Sequence, residues 1–458
     1  MPAAARPAPV TRPAPAPPPA PPPRPRLLDA AAALAGLGFG AVLAAVIAGE
    51  TRGSLAAPGG LLTAVGRLAG FTGSYLMLIM VVLVARLPWL ERTAGQDRLV
   101  RWHRRVAPWA IGLIITHVAA VTLGYAQAAQ TGEAHQLWVL LRSYPDMLAA
   151  TAGFGLLLLA AVTSWRYVRR RLRYETWWAV HLYLYLGLAL AFAHQIMTGV
   201  AFVGHLLARA LWIVVWAATA GLVLVFRIGQ PAWRSMRHRL TVAGIHEEAP
   251  GVVSVICEGR RLDRLPVSGG QFLFWRFLTR DLWWQAHPFS LSALPRPPYL
   301  RVTIKALGDQ SQAIARIRPG TRIAIEGPYG AFTPHARAGD RVVLAGAGVG
   351  VTPLRALLED LPPHTDVVVL VRASAPDRLV HRAEIAGLVR QRGGRLHEVT
   401  GPRHQVRIDG RALRRLIPDI AARDVYVCGP AGFSAVVAAA AQQAGVAPGR
   451  VHSEAFTF

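Results

Sequence analysis

The sequence predicts a multidomain membrane protein: a six-helix transmembrane bundle, then an antiparallel β-barrel, then an α/β domain on a parallel sheet. Three observations predict it. Hydrophobic residues make up 53 % of the 458 residues and charged residues only 16 %. With a mean hydropathy of +0.33, this argues against a disordered chain and against an ordinary soluble enzyme. Six long apolar segments crowd the first half, and short alternating runs fill the second. Two cysteines exclude a disulfide framework or a Cys-rich metal module.

The elements follow in order. Residues 1–26 hold 12 prolines, four arginines and no acid. They read as a disordered, extended cytoplasmic tail that cannot bury a core; a partner for it is unknown. The apolar segments are 27–48, 61–85, 106–125, 147–164, 177–197 and 200–226. Each is near the roughly 17–25 residues that a spanning helix needs. Gly70, Gly73, Gly112, Gly153 and Gly187 suit close helix packing in lipid. After Pro231 come RLTVAGI, GVVSVICEG, GGQFLFWRF, YLRVTIKAL and TRIAIEG, which read as strands of a small antiparallel barrel. From Gly339, the runs RVVLAGAG, DVVVLVRAS, RLHEVTG and DVYVCGP alternate with helical stretches, as βαβ units do.

The formal charge is +25 and the pI about 11.5, which raises nucleic acid as a partner. Lys305 is the one lysine, and the arginines cluster at the ends of apolar segments. Arg86, Arg92, Arg98, Arg101, Arg104 and Arg105 fill one loop; Arg166, Arg169, Arg170, Arg171 and Arg173 fill another; Arg227, Arg234, Arg237 and Arg239 follow the last segment. The opposite loops carry only Arg52 and Arg142. The positive-inside rule then gives a multi-pass protein of the cell (plasma) membrane, with both termini cytoplasmic. Its partner is the lipid bilayer and not nucleic acid.

The third and fifth segments each carry two histidines, His103 with His117 and His181 with His194. At 1.5 Å per residue, each pair spans about 20 Å of helix. Both helices run the same way, so His103 faces the level of His181, and His117 that of His194. Two cross-helix pairs at two depths suit two bis-histidine haems, because neutral imidazole is a good axial iron ligand. A 13-residue spacing leaves the second histidine of the fifth helix about 140° from the first. A kink or bulge near Gly187 is therefore expected. Arg67, His205 and Arg209 lie near the opposite ends of their segments. They either snorkel toward the interface or face the outer haem. His135 reads as a solvated loop residue.

His287-Pro288-Phe289-Ser290 resembles the flavin segment of ferredoxin-reductase-type flavoproteins, and more narrowly that of the ferric reductase and NADPH oxidase family. The resemblance covers residues from about 27 to the end. It implies a haem domain at 27–228, an FAD-binding β-barrel at 235–335 and an NAD(P)-binding α/β domain at 338–458. Lys305, Gly308 and Ser311 resemble the family's second flavin segment. A cation, glycine N–H groups and a hydroxyl can hold a pyrophosphate. Gly327-Pro328-Tyr329-Gly330 matches the turn between the two domains. Gly346, Gly348, Gly350, Thr352 and Pro353 follow a strand and open a helix, as a dinucleotide loop does. Arg372, Ser374 and Arg378 stand where an acid would hold the ribose of NADH, so NADPH is preferred to NADH. The resemblance places Cys428, Gly429 and Pro430 beside the nicotinamide. It makes Phe458 the terminal aromatic over the flavin, with Glu454 near the transfer site.

The resemblance implies an NAD(P)H-dependent ferric reductase or NADPH oxidase-like enzyme. NADPH reduces FAD in the cytoplasm, and two b-type haems carry single electrons to an extracytoplasmic acceptor, a ferric chelate or O2. Two other readings stand beside it. One is a haem-free, membrane-anchored flavin reductase feeding a soluble or quinone partner. The other is a transporter or proton channel with a redox-sensing cytoplasmic domain.

Overall fold

The computed structural model describes residues 26–199, 202–203, 205–402, 405–406 and 408–455. The proline-rich segment 1–25 and Phe458 lie outside the described residues.

Among the described residues, six helices are long and apolar enough to cross a membrane: Leu27–Ala48, Gly60–Val84, Arg98–Ala129, Met147–Ser164, Tyr174–Thr198 and Leu206–His238. Helix is the form that satisfies every backbone group within a span, which lipid cannot do. The second span packs on the third and the fourth on the fifth. Small residues allow the close approach: a Cβ placed on Gly153 would lie 2.5 Å from the Gly187 carbonyl oxygen. Gly112, expected at a helix contact, faces open space instead.

Three differences from the expectations have physical causes. The fifth span runs as one α-helix from Tyr174 to Thr198, with no bulge at Gly187; that glycine serves the contact with Gly153. The sixth helix begins at Leu206 rather than 200, and passes through a π-helical turn, Leu224–Gly229, into Gln230–His238. The wide turn directly precedes Pro231, which has no N–H to give to an α-helical bond. The connection between the third and fourth spans contains a helix, Glu133–Ser143. It is steadied by the Arg142 guanidinium, 4.1 Å from the Trp138 ring centre.

Beyond the spans lies a six-stranded antiparallel sheet: β1 (Leu240–Ala249), β2 (Val252–Glu258), β3 (Phe272–Phe277), β4 (His287–Ser290), β5 (Tyr299–Lys305) and β6 (Arg322–Tyr329). Its order is β4-β3-β6-β1-β2-β5. It curls around a core that includes Leu240, Trp275, Phe277, Leu300 and Val302. Its two edges meet at one bridge, Leu291 with Val302. The expected barrel is thus a curled sheet joined at a single point. β4 has only four residues, and Pro288 has no N–H for a ladder.

A parallel sheet follows: β7 (Arg341–Ala347), β8 (Asp366–Ala373), β9 (Arg395–Thr400), β10 (Asp424–Gly429) and β11 (Val451–Ala455). Its order is β11-β10-β7-β8-β9. β7, β8 and β10 are apolar and buried along most of their length, as strands covered on both faces must be. The order reverses at β7, so a crevice opens at the carboxyl ends of β7 and β10.

The two sheets are joined by charge. Arg301 of β5 holds both carboxylate oxygens of Glu384, at 2.7 and 2.8 Å. Arg355 reaches Glu384 at 2.8 Å and Glu359 at 2.6 Å. His381, fully buried, lies 2.9 Å from the Thr303 hydroxyl and 3.2 Å from Glu248. Glu248, His381 and Glu384 are close enough to share a cation, but two arginines already neutralise Glu384, so the cluster acts as a latch. His381 and the arginines hold the Glu248 and Glu384 carboxyls below the ordinary range, and backbone and arginine contacts do so for Glu359. A depressed carboxyl stabilises the fold above its unfolded pKa and loses that contribution as pH falls through the folded value. Thermal stability in detergent should therefore be flat from pH 8 to 6 and fall below about pH 4. Glu384→Gln should show a shallower fall, measured by unfolding at each pH.

Candidate functional site

The four span histidines form two cross-helix pairs. The ring centres of His103 and His181 are 6.3 Å apart, and those of His117 and His194 are 6.2 Å apart. Two metal–imidazole bonds of about 2 Å, with about 1 Å more to each ring centre, give about 6 Å. The ring separations of both pairs therefore suit two imidazoles that share one metal ion. The second observation is the direction of Nδ1. It lies 3.1 Å from the Met80 carbonyl in His103, 2.8 Å from Gly66 in His117 and 2.9 Å from Ala191 in His194. In His181 it is 3.4 Å from the Ser164 hydroxyl. An Nδ1–H that donates to a carbonyl leaves the Nε2 lone pair for a metal. The fifth helix is unbroken, so side-chain direction, not a backbone bulge, absorbs its 13-residue spacing.

A cavity of about 360 Å³ lies at the second pair. Gly70, Phe71, Ile114, Phe154 and Leu188 are among the apolar residues that line it with His117 and His194. Arg67 stands at this cavity and pairs with Glu50 at 2.9 Å; His205 and Arg209 do not line it. His135 is exposed. A Cβ on Gly70 would lie 2.6 Å from His117 Nδ1. Gly70→Ala should therefore push this imidazole from the Gly66 carbonyl. If this pair binds a haem, haem content should fall in the variant, as read by absorbance after extraction.

The flavin motif lies on the edge strand β4. The Trp275 indole donates to the Phe289 carbonyl at 3.1 Å and fixes the strand. His287 stacks on Phe289, with ring centres 5.8 Å apart. Burial holds the His287 imidazole below its ordinary value, so it is neutral. His287 Nε2 and the hydroxyls of Ser290 and Ser292 are buried with no hydrogen-bond partner. Buried polar groups seldom stay unsatisfied. A flavin ring, with donors and acceptors along one edge, would satisfy them. Lys305 ends β5, exposed. The Ser311 hydroxyl accepts from the N–H groups of Leu307 and Gly308, at 2.8 and 3.0 Å. It shapes that turn rather than standing free.

The nicotinamide motif lies at the crevice. A Cβ on Gly350 would lie 2.4 Å from the Cys428 carbonyl oxygen, so the glycine loop rests directly on β10. Thr352 donates to the Val349 carbonyl at 2.9 Å, and Pro353 is buried in the helix Val351–Asp360. Gly348 has a φ of +56°. Pro430 caps the helix that begins at Ala431, and Gly429 packs against Ala347 and Phe433. Burial, with Glu454 adding, pushes the Cys428 thiol well above its ordinary value. Cys428 is thus a neutral thiol and not a thiolate. Arg372 gives its guanidinium to the carbonyls of Ala373, Val399 and Gly401. Ser374 and Arg378 are exposed beyond the carboxyl end of β8.

The sheets bring the two motifs together. Ser290 pairs with Phe272, and Phe272 with Tyr329. A Cβ on Gly330 would lie 3.7 Å from the Glu454 carboxylate. Glu454 pairs with Cys428, and Cys428 with Gly346. One row of neighbours thus runs from the flavin strand to the glycine loop.

Sequence reasoning missed the joint between the spans and the flavin sheet. Arg86 lies over the Phe274 ring at 3.8 Å and bonds Glu326. Glu326 also accepts from the Tyr329 hydroxyl at 3.2 Å. The available signal was the single acid in IAIEGPYG, beside the flavin-domain turn.

Two stretches of the chain match known families. Residues 69–192 match the ferric reductase like transmembrane component, which takes in His103, His117 and His181. Residues 251–333 match an FAD-binding domain. An NADPH oxidoreductase of Mycobacterium tuberculosis is 27 % identical over 45 % of this chain and 56 % of its own length. NADPH oxidase 1 of Mus musculus is 34 % identical over 16 % of this chain and 14 % of its own. The FAD/NAD binding domain of a nitric oxide dioxygenase from Vibrio cholerae covers 48 % of this chain and 98 % of that one. It has 24 % identity and a TM-score of 0.42. The chain spans little more than half the length of the first of these relatives. One chain thus carries, in succession, a segment that matches a ferric-reductase-like membrane component and a segment that matches an FAD-binding domain.

Proposed function

We propose that the chain is a transmembrane oxidoreductase that passes electrons from cytoplasmic NADPH to a one-electron acceptor across the membrane, a ferric chelate or O2. The paired histidines at two depths carry this reading. Their spacing and their Nδ1 contacts suit two haems better than polar capping of spans. When bound, FAD would take a hydride and two b-type haems would carry single electrons.

The chain's own residues supply placement and exclusion. His287, Ser290 and Ser292 offer buried polar atoms along one flavin edge. Lys305, the Gly308 turn and Tyr329 flank that site. The Gly346–Gly350 loop lets backbone approach a pyrophosphate at the start of the helix Val351–Asp360. Thr352 and Pro353 stiffen that start. Cys428, Gly429 and Pro430 wall the nicotinamide side, with the Glu454 carboxylate at their edge. Exposed Ser374 and Arg378 suit a 2′-phosphate, so NADPH is preferred to NADH, while Arg372 holds the strand end for them. Phe458 is proposed as the displaceable aromatic. The domain limits proposed are 27–228, 235–335 and 338–458.

The arginine-rich loops lie at the flavin-sheet end of the bundle, which supports a cytoplasmic location for both sheets and a cell-membrane location for the chain. A potential that is negative inside would favour each outward electron by about 2.3 kcal/mol per 100 mV. The test is a sealed vesicle holding the purified protein with its sheets outward and an impermeant ferric chelate trapped inside. NADPH added outside should reduce the trapped chelate. Reduction of outside dyes alone would overturn the transmembrane reading.

A further inference from the structure

Two arginines from separate spans converge on one carboxylate of the flavin sheet. Arg86, just past the second span, bonds Glu326 of β6, and Arg227 of the sixth helix lies 3.6 Å from the same oxygen. Arg86 and Glu326 are each only 13 % exposed at the side chain, and Arg227 is 27 % exposed. This is not a loose surface pair, whose worth is usually near zero. Both arginines sit on irregular backbone. Arg86 has a φ of +62°, a left-handed conformation that is unfavourable for a non-glycine residue. Arg227 lies within the π-helical turn Leu224–Gly229, a feature often found at functional sites. Such conformations persist where their surroundings over-determine them. Here both irregularities aim a guanidinium at Glu326.

The same elements reach the candidate cofactor sites. Glu326 accepts from Tyr329 and directly precedes the Gly327–Gly330 turn. The Arg86 guanidinium lies on the Phe274 ring, which packs edge-to-face on Tyr329. In the other direction, the second span carries Met80, whose carbonyl holds His103. The helix runs from Met80 to its end at Val84, and Arg86 follows two residues later. The end of the second span thus links the orientation of His103 to the grip on the flavin sheet. A second contact, Gln310 to Glu175 of the fifth span at 3.2 Å, lies at the end that carries His181.

We propose that Glu326, clamped by Arg86 and Arg227, is a positioning residue that fixes the flavin sheet against the spans and so sets the electron path from flavin to the His103–His181 pair. The proposal rests on the relay reading above. It makes no contact with reacting atoms.

Glu326→Gln tests it, because glutamine keeps an acceptor for Tyr329 and removes the charge. The full chain, loaded with FAD and haem, would be mixed with NADPH without oxygen. Flavin bleaching, haem reduction and reduction of a soluble dye that draws on the flavin would be followed separately. Expected are unchanged FAD content, flavin bleaching and dye reduction within 2-fold of the parent, and haem reduction at least 10-fold slower. Amide exchange in residues 87–95 should rise. The swapped pair Glu326→Arg with Arg86→Glu should recover part of the haem rate. Haem reduction within 2-fold of the parent, unchanged exchange, or loss of FAD from Glu326→Gln would each overturn the proposal. Failure of NADPH to reduce haem in the parent would instead overturn the relay reading.

Discussion

Replacing His194 with alanine should remove one of the two proposed haems and stop delivery to the far side, while NADPH still reduces the haem that remains. His194 and His117 face one another with ring centres 6.2 Å apart, beside a cavity of about 360 Å³. Losing one axial imidazole should cost more than losing a supporting hydrogen bond, which itself typically costs 10–100-fold in metal affinity. Transmembrane transfer should fall at least about 100-fold. His103→Ala should behave differently. It too should leave one haem, but NADPH should no longer reduce it rapidly, whereas dithionite should. The pair thus orders the two haems along the path. Equal behaviour of the two variants would remove that order. Haem per chain and absorbance with each reductant are the readouts.

Gly350→Ala should abolish reduction by NADPH while leaving both haems and FAD bound. A Cβ there would lie 2.4 Å from the Cys428 carbonyl oxygen, 2.6 Å from its carbonyl carbon and 2.6 Å from the Gly429 Cα. These are backbone atoms of β10, a buried strand paired on both sides, and cannot move aside as a flexible side chain could. The loop must lift, which shifts the N–H groups that would meet a pyrophosphate. NADPH-dependent flavin reduction should fall at least about 100-fold, with dithionite reduction unchanged. A variant that retains NADPH reduction within 3-fold would show that this loop does not hold the dinucleotide.

Much of this architecture is legible from residue patterns. Span length, arginine clustering and the four histidines are local signals, and so are the alternating runs that become β1, β2, β3, β5 and β6. β11 is not legible. Its five residues, Val-His-Ser-Glu-Ala, carry little strand signal and are extended because β10 offers an unpaired edge. The kink expected in the fifth span is absent because helical-wheel angles ignore side-chain reach. Gly187 is there for the Gly153 contact. Arg86 and Arg227 look like topology arginines in sequence, as their neighbours do. Only the fold brings them to Glu326, about 240 and 100 residues away. Ser290 is recognisable from its motif, but its unsatisfied hydroxyl is visible only where burial is known.

The central claim is that one chain carries a flavin and two haems in electronic series. The most direct test is an anaerobic absorbance titration of the detergent-purified protein with NADPH, with FAD and haem counted per chain. The account predicts one FAD and two haems, both haems reduced by NADPH. A folded, FAD-loaded protein with no haem, or with haem that only dithionite reduces, would contradict it.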